Sequence, residues 1–137
     1  MAIRYFSDDI SFILKEKRKI SGWLHNVIAE KRKKTGNLFF IFVSVDKILE
    51  LNKTYLKKSY LTDIITFDNS TSDEIAGEMY ICIDAVKENA TRYKVDFRNE
   101  LLRVMVHGIL HLCGYKDKTK AEQEKMREIE NKCLEMF

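Results

Sequence analysis

Two of the three histidines in this 137-residue chain lie four positions apart, in the segment HGILHLCGYKD. If that segment is helical, His107 and His111 lie on the same face, and their two rings can hold one metal ion. Gly114 can adopt the left-handed conformation that ends a helix, so the chain can turn back and bring Asp117 to the same ion. The sequence therefore predicts a metal site formed by His107, His111 and Asp117.

Two imidazoles and one carboxylate leave one coordination position of a tetrahedral zinc ion open. Catalytic zinc sites have this arrangement, whereas structural zinc sites are closed by four protein ligands. Zinc lowers the pKa of its bound water to about 7 and polarises a carbonyl or phosphoryl oxygen. We therefore expect one zinc ion and a hydrolytic reaction.

The residue after the first histidine helps to distinguish a zinc protease from other hydrolases. The zinc-protease motif places a glutamate there as the general base. Here the position is Gly108, which cannot transfer a proton. The motif thus weakens the metallopeptidase alternative and favours a substrate that supplies its own nucleophile or mainly needs a Lewis acid. RNA meets this description.

The elements that position these residues follow from hydrophobic periodicity and capping signals. Gly36-Asn37 is predicted to end the first helix, Asp46 to cap the second, and Thr119 with Glu122 to form a capping box. Strands are predicted at 3–6, 38–45, 62–68 and 77–84, and helices at about 11–33, 46–56, 84–93, 96–113 and 119–136. We expect one α+β domain over residues 1–137, with a single mixed sheet of about four strands packed by about five helices.

The composition is that of a globular domain, with 45% hydrophobic and 33% charged residues. No run approaches the roughly 18 apolar residues that span a membrane, and the start lacks a signal-peptide pattern. The three cysteines, Cys82, Cys113 and Cys133, are odd in number and show no paired spacing, which favours reduced thiols. We expect a cytoplasmic protein with no membrane partner.

Two basic clusters, KEKRK at Lys15–Lys19 and KRKK further on, flank the apolar positions of the first predicted helix. The net charge of +3 is too small to identify a polyanionic partner by itself. Clustered cations attract phosphates by releasing counterions, so the second cluster, Lys31, Arg32, Lys33 and Lys34, is predicted to bind RNA. The alternative is an ordinary solvated helix surface.

Arg103 lies one turn before His107 on the predicted helix and on the same face. It could contact a phosphate or an acid beside the metal, or be an ordinary surface residue. Glu100, another turn back, is similarly placed.

The segment VHGILHLCGYKD resembles the signature of the YbeY endoribonuclease family, whose usual form is H-G-x-L-H-L-x-G-Y-D-H with a third histidine as ligand. The segments LNKTYL, TDIITF and GEMYICID resemble the family's preceding segments in order and spacing. Met126 and Glu130 stand where the family has its trailing Met and Glu. The resemblance covers about Leu49 to Glu130 and matches the N-terminal third only in general form.

This resemblance implies a metal-dependent, single-strand-specific endoribonuclease. It implies action in rRNA maturation, chiefly at the 3′ end of the small-subunit rRNA, and in ribosome quality control. The partners would be single-stranded RNA, rRNA and the ribosome or its small subunit. The implied fold is α+β, with three metal ligands over a cleft.

The sequence departs from the family pattern at two functional positions. Asp117 stands where the family has its third histidine, and this harder oxygen donor could change the preferred metal. Leu56 stands where the family has an arginine that helps to bind or activate the scissile phosphate, so a non-catalytic ribosome-maturation factor stays open as an alternative. Lys57 and Lys58 follow at once and could supply the charge without the guanidinium fork. Lys57, Lys58 and Arg103 are the candidate catalytic residues.

Overall fold

The computed structural model describes residues 2–56 and 61–137. Within these ranges the chain forms four strands and five helices, which is the α+β architecture that the sequence predicts. In chain order they are β1 (Ile3–Ser7), α1 (Lys17–Glu30), β2 (Lys34–Val43), α2 (Val45–Tyr55), β3 (Ile64–Asp68), β4 (Glu74–Cys82), α3 (Ile83–Tyr93), α4 (Phe97–Leu112) and α5 (Lys120–Glu135).

The four strands form one mixed sheet in the order β1-β2-β4-β3. β1, β2 and β4 are parallel, and β3 pairs antiparallel with β4 at one edge. The inner strands carry the largest apolar side chains, and Phe40, Met79 and Ile81 are fully buried. Parallel inner strands are covered on both faces, which explains why β2 is an almost continuous apolar run.

Helices cover both faces of the sheet. α1 and α4 pack on one face over the larger core, and α5 packs against α4. α2 covers the other face, where Ile48 and Leu51 meet Ile65 of β3. α4 carries both histidines of the predicted metal site, and its sixteen residues include ten that are buried. This burial holds α4 firmly against the sheet, so the positions of its exposed side chains are well defined.

Helix α1 begins later than the sequence predicts, at Lys17 rather than near Ser11. Glu16, the residue before it, has a left-handed backbone with φ of 59°. The guanidinium of Arg98 in α4 donates to the carboxylate of Glu16 at 2.7 Å. Glu16 is therefore tied to a distant part of the chain, which helical periodicity does not reveal.

The predicted break at Gly36-Asn37 is also wrong, because both residues lie within β2, which begins at Lys34. The helix ends earlier, at Glu30, and Arg32, two residues later, has a left-handed φ of 60°. The Arg32 N–H donates to the carbonyl of Ala29 at 2.9 Å and closes the last turn. A left-handed conformation at a residue other than glycine is uncommon, so the sequence carried no signal for this stop.

The predicted caps have different outcomes at α2 and α5. Asp46 lies inside the first turn of α2, and Ser44 is the cap, with its hydroxyl accepting the N–H of Lys47 at 3.2 Å. At α5 the capping box of Thr119 and Glu122 is confirmed, since each side chain binds the other residue's backbone N–H. Serine and aspartate are both strong caps, and two of them two residues apart make the choice ambiguous.

Among residues 2–56 and 61–137, no helix is both long and apolar enough to cross a membrane. Cys82, Cys113 and Cys133 are all free thiols.

Candidate metal centre and adjoining cleft

The metal site is built on the C-terminal end of α4 and the turn that follows it. The N–H of Gly114 donates to the carbonyl of His111 at 3.0 Å, and the N–H of Tyr115 donates to that of Leu110 at 3.1 Å. Gly114 has a left-handed φ of 104°, so these two bonds form a Schellman motif. The chain turns back on the helix and carries Asp117 to the two histidines.

The three predicted ligands lie close together. Asp117 Oδ2 is 3.2 Å from His107 Nε2 and 3.4 Å from His111 Nε2. Tetrahedral ligands held about 2.0–2.1 Å from zinc are separated from one another by about 3.3–3.4 Å. Within the part of the chain that the structure describes, these residues form the only group of three or more metal-ligating side chains this compact. The donor set and its spacing fit one zinc-class ion.

Glu130 of α5 orients the first of these histidines. Its carboxylate oxygen Oε2 lies 2.6 Å from His107 Nδ1, and only 4% of the residue is exposed. A carboxylate accepts a proton but does not donate one, so Nδ1 carries the hydrogen and Nε2 keeps its lone pair for the ion. Sequence reasoning noted Glu130 only as a match to the family and did not foresee this contact.

Arg103 lies beside the metal centre and binds protein groups there. Its guanidinium donates to Glu130 Oε1 at 3.0 Å and to Asn131 Oδ1 at 2.7 Å. The sequence left three roles open for Arg103, and the structure shows one of them, a contact with an acid beside the candidate metal ligands. Arg103 acts on His107 through Glu130, and both partners are buried enough for the pair to be specific.

The same carboxylate affects protonation of His107. Burial disfavours the charged ring, but the hydrogen bond and charge of Glu130 outweigh it, with a further contribution from Asp117, so the pKa of His107 is raised. In the metal-free protein a proton therefore competes for this ring at a higher pH than for an ordinary histidine.

Gly108, between the two histidines, faces the sheet instead of the cleft. A Cβ at this position would lie 2.8 Å from the sulfur of Met79 and 2.9 Å from Ile64 Cδ1. The absence of a side chain thus lets α4 lie close on β3 and β4. A protease general base could not stand here without displacing the core, which weakens the metallopeptidase alternative further.

A cavity of about 370 Å³ adjoins the metal centre. His107 and Asp117 line one end of it, and Asp63 and Glu100 line it further along. Burial raises the pKa of both the Asp63 and the Glu100 carboxyl groups. The amide of Asn89 donates to Asp63 Oδ2 at 3.0 Å.

The second basic cluster borders the turn that carries Asp117. Lys31 Nζ lies 5.6 Å from the centre of the Tyr115 ring, and Lys33 Nζ donates to the carbonyl of Ser72 at 2.8 Å. The Lys31 contact places one cation beside the turn that carries Asp117. The other two cluster members, Arg32 and Lys34, are both exposed. Lys57 and Lys58 lie outside the described residues, and Leu56, just before them, is 42% exposed at the end of α2.

The fold and the site define an α+β protein with a candidate histidine–aspartate metal centre at the end of one helix. The family model described as Endoribonuclease YbeY matches residues 5–137, so the chain belongs to that family over almost its whole length. The match extends through most of the N-terminal third, beyond the segment that the signature resemblance covers.

Individual relatives agree with this assignment. The Endoribonuclease YbeY of Parabacteroides distasonis is 46% identical over 134 residues, which cover 98% of this chain and 94% of the relative. That of Flavobacterium psychrophilum is 44% identical over 132 residues, covering 96% and 94%. The solution structure of a Thermotoga maritima protein matches with a TM-score of 0.70 at 30% identity, covering 98% of this chain and 88% of that one.

Proposed function

We propose that this protein is a metal-dependent endoribonuclease that binds one zinc ion and cleaves single-stranded RNA. The observation that carries the proposal is the convergence of His107, His111 and Asp117, with His107 oriented by Glu130, in a member of the YbeY family. The relatives' printed name, Endoribonuclease YbeY, supports RNA cleavage as the reaction.

His107, His111 and Asp117 would hold the ion, which when bound supplies a Lewis acid and an activated water. The chain's own residues prepare this site. Glu130 holds the hydrogen on Nδ1 of His107, so that in the neutral ring the lone pair for the ion is on Nε2. Arg103 forms an ion pair with Glu130 and fixes the orientation of its carboxylate. The half-exposed ligands leave an open side on which a phosphate can approach.

The cations that meet the phosphate remain part of the proposal. Arg103 is engaged with Glu130 and Asn131, so its role is to position His107. Lys57 and Lys58 follow Leu56 and are proposed to stabilise charge on the scissile phosphate. Lys31, Arg32, Lys33 and Lys34 would guide the RNA backbone past the turn that holds Asp117, which the location of Lys31 over Tyr115 supports.

The biological substrate belongs to the same proposal. The family resemblance supports rRNA as the substrate, with cleavage at the 3′ end of the small-subunit rRNA and a role in ribosome quality control on the ribosome or its small subunit. We place the activity in the cytoplasm, consistent with three free thiols.

Leu56 favours a second candidate function. Because it replaces the arginine of the family pattern, the protein could act as a ribosome-maturation factor that keeps the metal site without cleaving RNA. The two candidates differ in one measurable property, the hydrolysis of RNA by the purified, metal-loaded protein.

The deciding experiment incubates zinc-loaded protein with a single-stranded rRNA fragment, with and without a chelator. We expect cleavage that the chelator abolishes, that added zinc restores, and that is lost when a complementary strand is annealed. Cleavage that persists in chelator would contradict metal dependence. If metal binds and no RNA is cleaved, the maturation factor is favoured, and a Leu56→Arg variant that gains cleavage would show why.

A further inference from the structure

The cavity beside the metal centre has the size and lining of a small-ligand site. Its volume of about 370 Å³ falls within the range of known ligand pockets. It lies between α4 and α5, with the start of β3 and the end of α3 completing its walls. His107 and Asp117 line the same cavity, so a group bound inside it lies next to the candidate ion.

Glu100 contributes a buried acceptor to this cavity. The residue is 5% exposed, and among residues 2–56 and 61–137 its carboxylate accepts no hydrogen bond and forms no ion pair. The nearest arginines are directed elsewhere, since Arg103 binds Glu130 and Arg127 lies over the ring of Tyr93. The carboxylate oxygens keep access to the cavity, so a ligand bound there can supply the donor that the protein does not.

Asp63 contributes a second acceptor to the cavity lining. Asn89 donates to one of its oxygens, Oδ2, at 3.0 Å and thereby orients the carboxylate. Its other oxygen retains the capacity to accept an N–H. Burial raises the pKa of this carboxyl, as it does for Glu100. Both acids can accept a hydrogen bond from a ligand in the cavity.

A second metal ion does not suit these acids. Among the described residues, only His107, His111 and Asp117 are close enough together to ligate one ion as a group. Neither Asp63 nor Glu100 belongs to that group. Separated carboxylates of this kind can instead accept N–H donors from different points of one flat ligand.

The remaining lining suits an aromatic ring. Ile64, Val104 and Met126 provide apolar surface beside the two acceptors. Tyr93, which is 49% exposed, also lines the cavity, with Arg127 over its ring. Proteins that bind single-stranded RNA hold unstacked bases in this way, with ring faces on apolar or aromatic side chains and ring edges on polar groups.

We propose that this cavity binds one nucleobase next to the scissile phosphate and selects bases that carry an exocyclic amino group, with Glu100 and Asp63 as acceptors. This inference rests on the proposed RNA-cleaving function and specifies its substrate. We place the two acceptors at the C4 position of the base and not at N3, where uracil carries an N–H donor. There a carboxylate accepts hydrogen bonds from the amino group of cytosine and repels the carbonyl oxygen of uracil. Cytosine is therefore accepted and uracil is disfavoured.

The test compares cytidine and uridine 5′-monophosphates, which differ in the C4 substituent and in whether N3 carries a hydrogen. Their affinities for the zinc-loaded protein are measured by NMR titration, which does not depend on cleavage. We expect cytidine monophosphate to bind about tenfold more tightly than the uridine nucleotide. Glu100→Gln should reduce this ratio to near one, because the amide can donate to the uracil carbonyl. Glu124→Gln, which removes the same charge from an exposed position, should leave the ratio unchanged.

Equal affinity of the wild-type protein for the two nucleotides would overturn the inference, and that comparison requires no variant to fold. A preference that survives in both Glu100→Gln and Asp63→Asn would also overturn it. Cleavage mapping separates this result from the proposed function. RNA cleavage without base preference would support the nuclease function and contradict the nucleobase site. A cytidine preference in a protein that cleaves no RNA would support the nucleobase site and contradict the nuclease function.

Discussion

The two basic clusters of the sequence lie near opposite ends of α4, and their surroundings differ. At the C-terminal end, Lys31 lies over Tyr115 beside the turn that brings Asp117 to the histidines. At the N-terminal end, Arg98 binds the carboxylate of Glu16 and the backbone carbonyl of the residue before it. At about 1.5 Å per residue, Arg98 and His111 are separated by about 20 Å along the helix.

This difference shows why charge runs alone do not identify a binding surface. The Lys15–Lys19 cluster spans the start of α1 and lies near the end of α4 that holds no metal ligand. The Lys31–Lys34 cluster follows α1 and lies near the end that does. Since electrostatic attraction between exposed charges falls off over about 8–10 Å in physiological salt, we expect the second cluster to influence the candidate metal centre more than the first.

The largest expected effect comes from removing a metal ligand at the C-terminal end. His111→Ala should lose bound zinc and RNA cleavage while keeping a native circular dichroism spectrum and cooperative melting. The His111 side chain is about one-third exposed, so its loss leaves no large void, and a 137-residue core does not need metal to fold. The melting temperature should fall only in the presence of zinc, through the loss of ligand linkage.

The matched control for this variant is Arg98→Ala at the other end of α4, which should retain zinc and cleavage. An unfolded His111→Ala protein would make the metal site structural and favour the maturation factor. A folded one that cleaves RNA at the wild-type rate would show that metal catalysis at this site is wrong.

A smaller effect is expected from the residue that orients His107. Glu130→Gln removes the charge that holds the Nδ1 proton, and loss of such an outer partner lowers metal affinity about 10–100-fold. Competition against a chelator of known affinity measures this change. The imidazole nitrogen shifts of the metal-free protein give the tautomer of His107, which should become mixed. Unchanged affinity and an unchanged tautomer would reduce Glu130 to a packing residue.

The comparison of the two basic clusters can be tested directly. Lys31→Gln with Lys33→Gln should weaken binding of single-stranded RNA and lower the slope of log affinity against log salt by about one unit per lost phosphate contact. Lys15→Gln with Lys17→Gln removes the same charge from the other end of α4 and should have less effect. Equal slopes for both double variants would mean that neither cluster follows the RNA backbone.

The smallest effect concerns stability and the buried Glu100. Burial raises the pKa of its carboxyl, so the folded protein binds more protons than the unfolded chain between the two pKa values. The free energy of unfolding therefore falls as pH rises through that window. Glu100→Gln has no carboxyl to ionise and so avoids this fall in the free energy of unfolding. Its melting temperature should therefore exceed that of the wild type at pH 7. The difference should shrink as the pH is lowered to about 4.

Thermal melts across this pH range measure the effect, with Glu124→Gln as the exposed control. A variant that is less stable than the wild type at neutral pH would mean that the Glu100 carboxylate stabilises the fold. Such a result would weaken the inference that the carboxylate serves a ligand.

Local sequence determined the parts of the site that depend on near neighbours. The four-residue spacing puts His107 and His111 on one face of a helix, and Gly114 permits the left-handed turn after it. The Thr119–Glu122 capping box is equally local. Hydrogen bonds and periodicity within one or two turns decide these features, so they can be predicted from adjacent residues.

Only the tertiary structure decided which distant side chains complete the site. Glu130 is 23 positions beyond His107, and their contact requires α5 to pack on α4. Asp63 and Glu100 share one cavity, and Lys31 lies over Tyr115, only because separate elements meet there. The start of α1 beside Arg98 has the same origin. These contacts depend on how helices pack on the sheet, a property of the whole chain that no short segment contains.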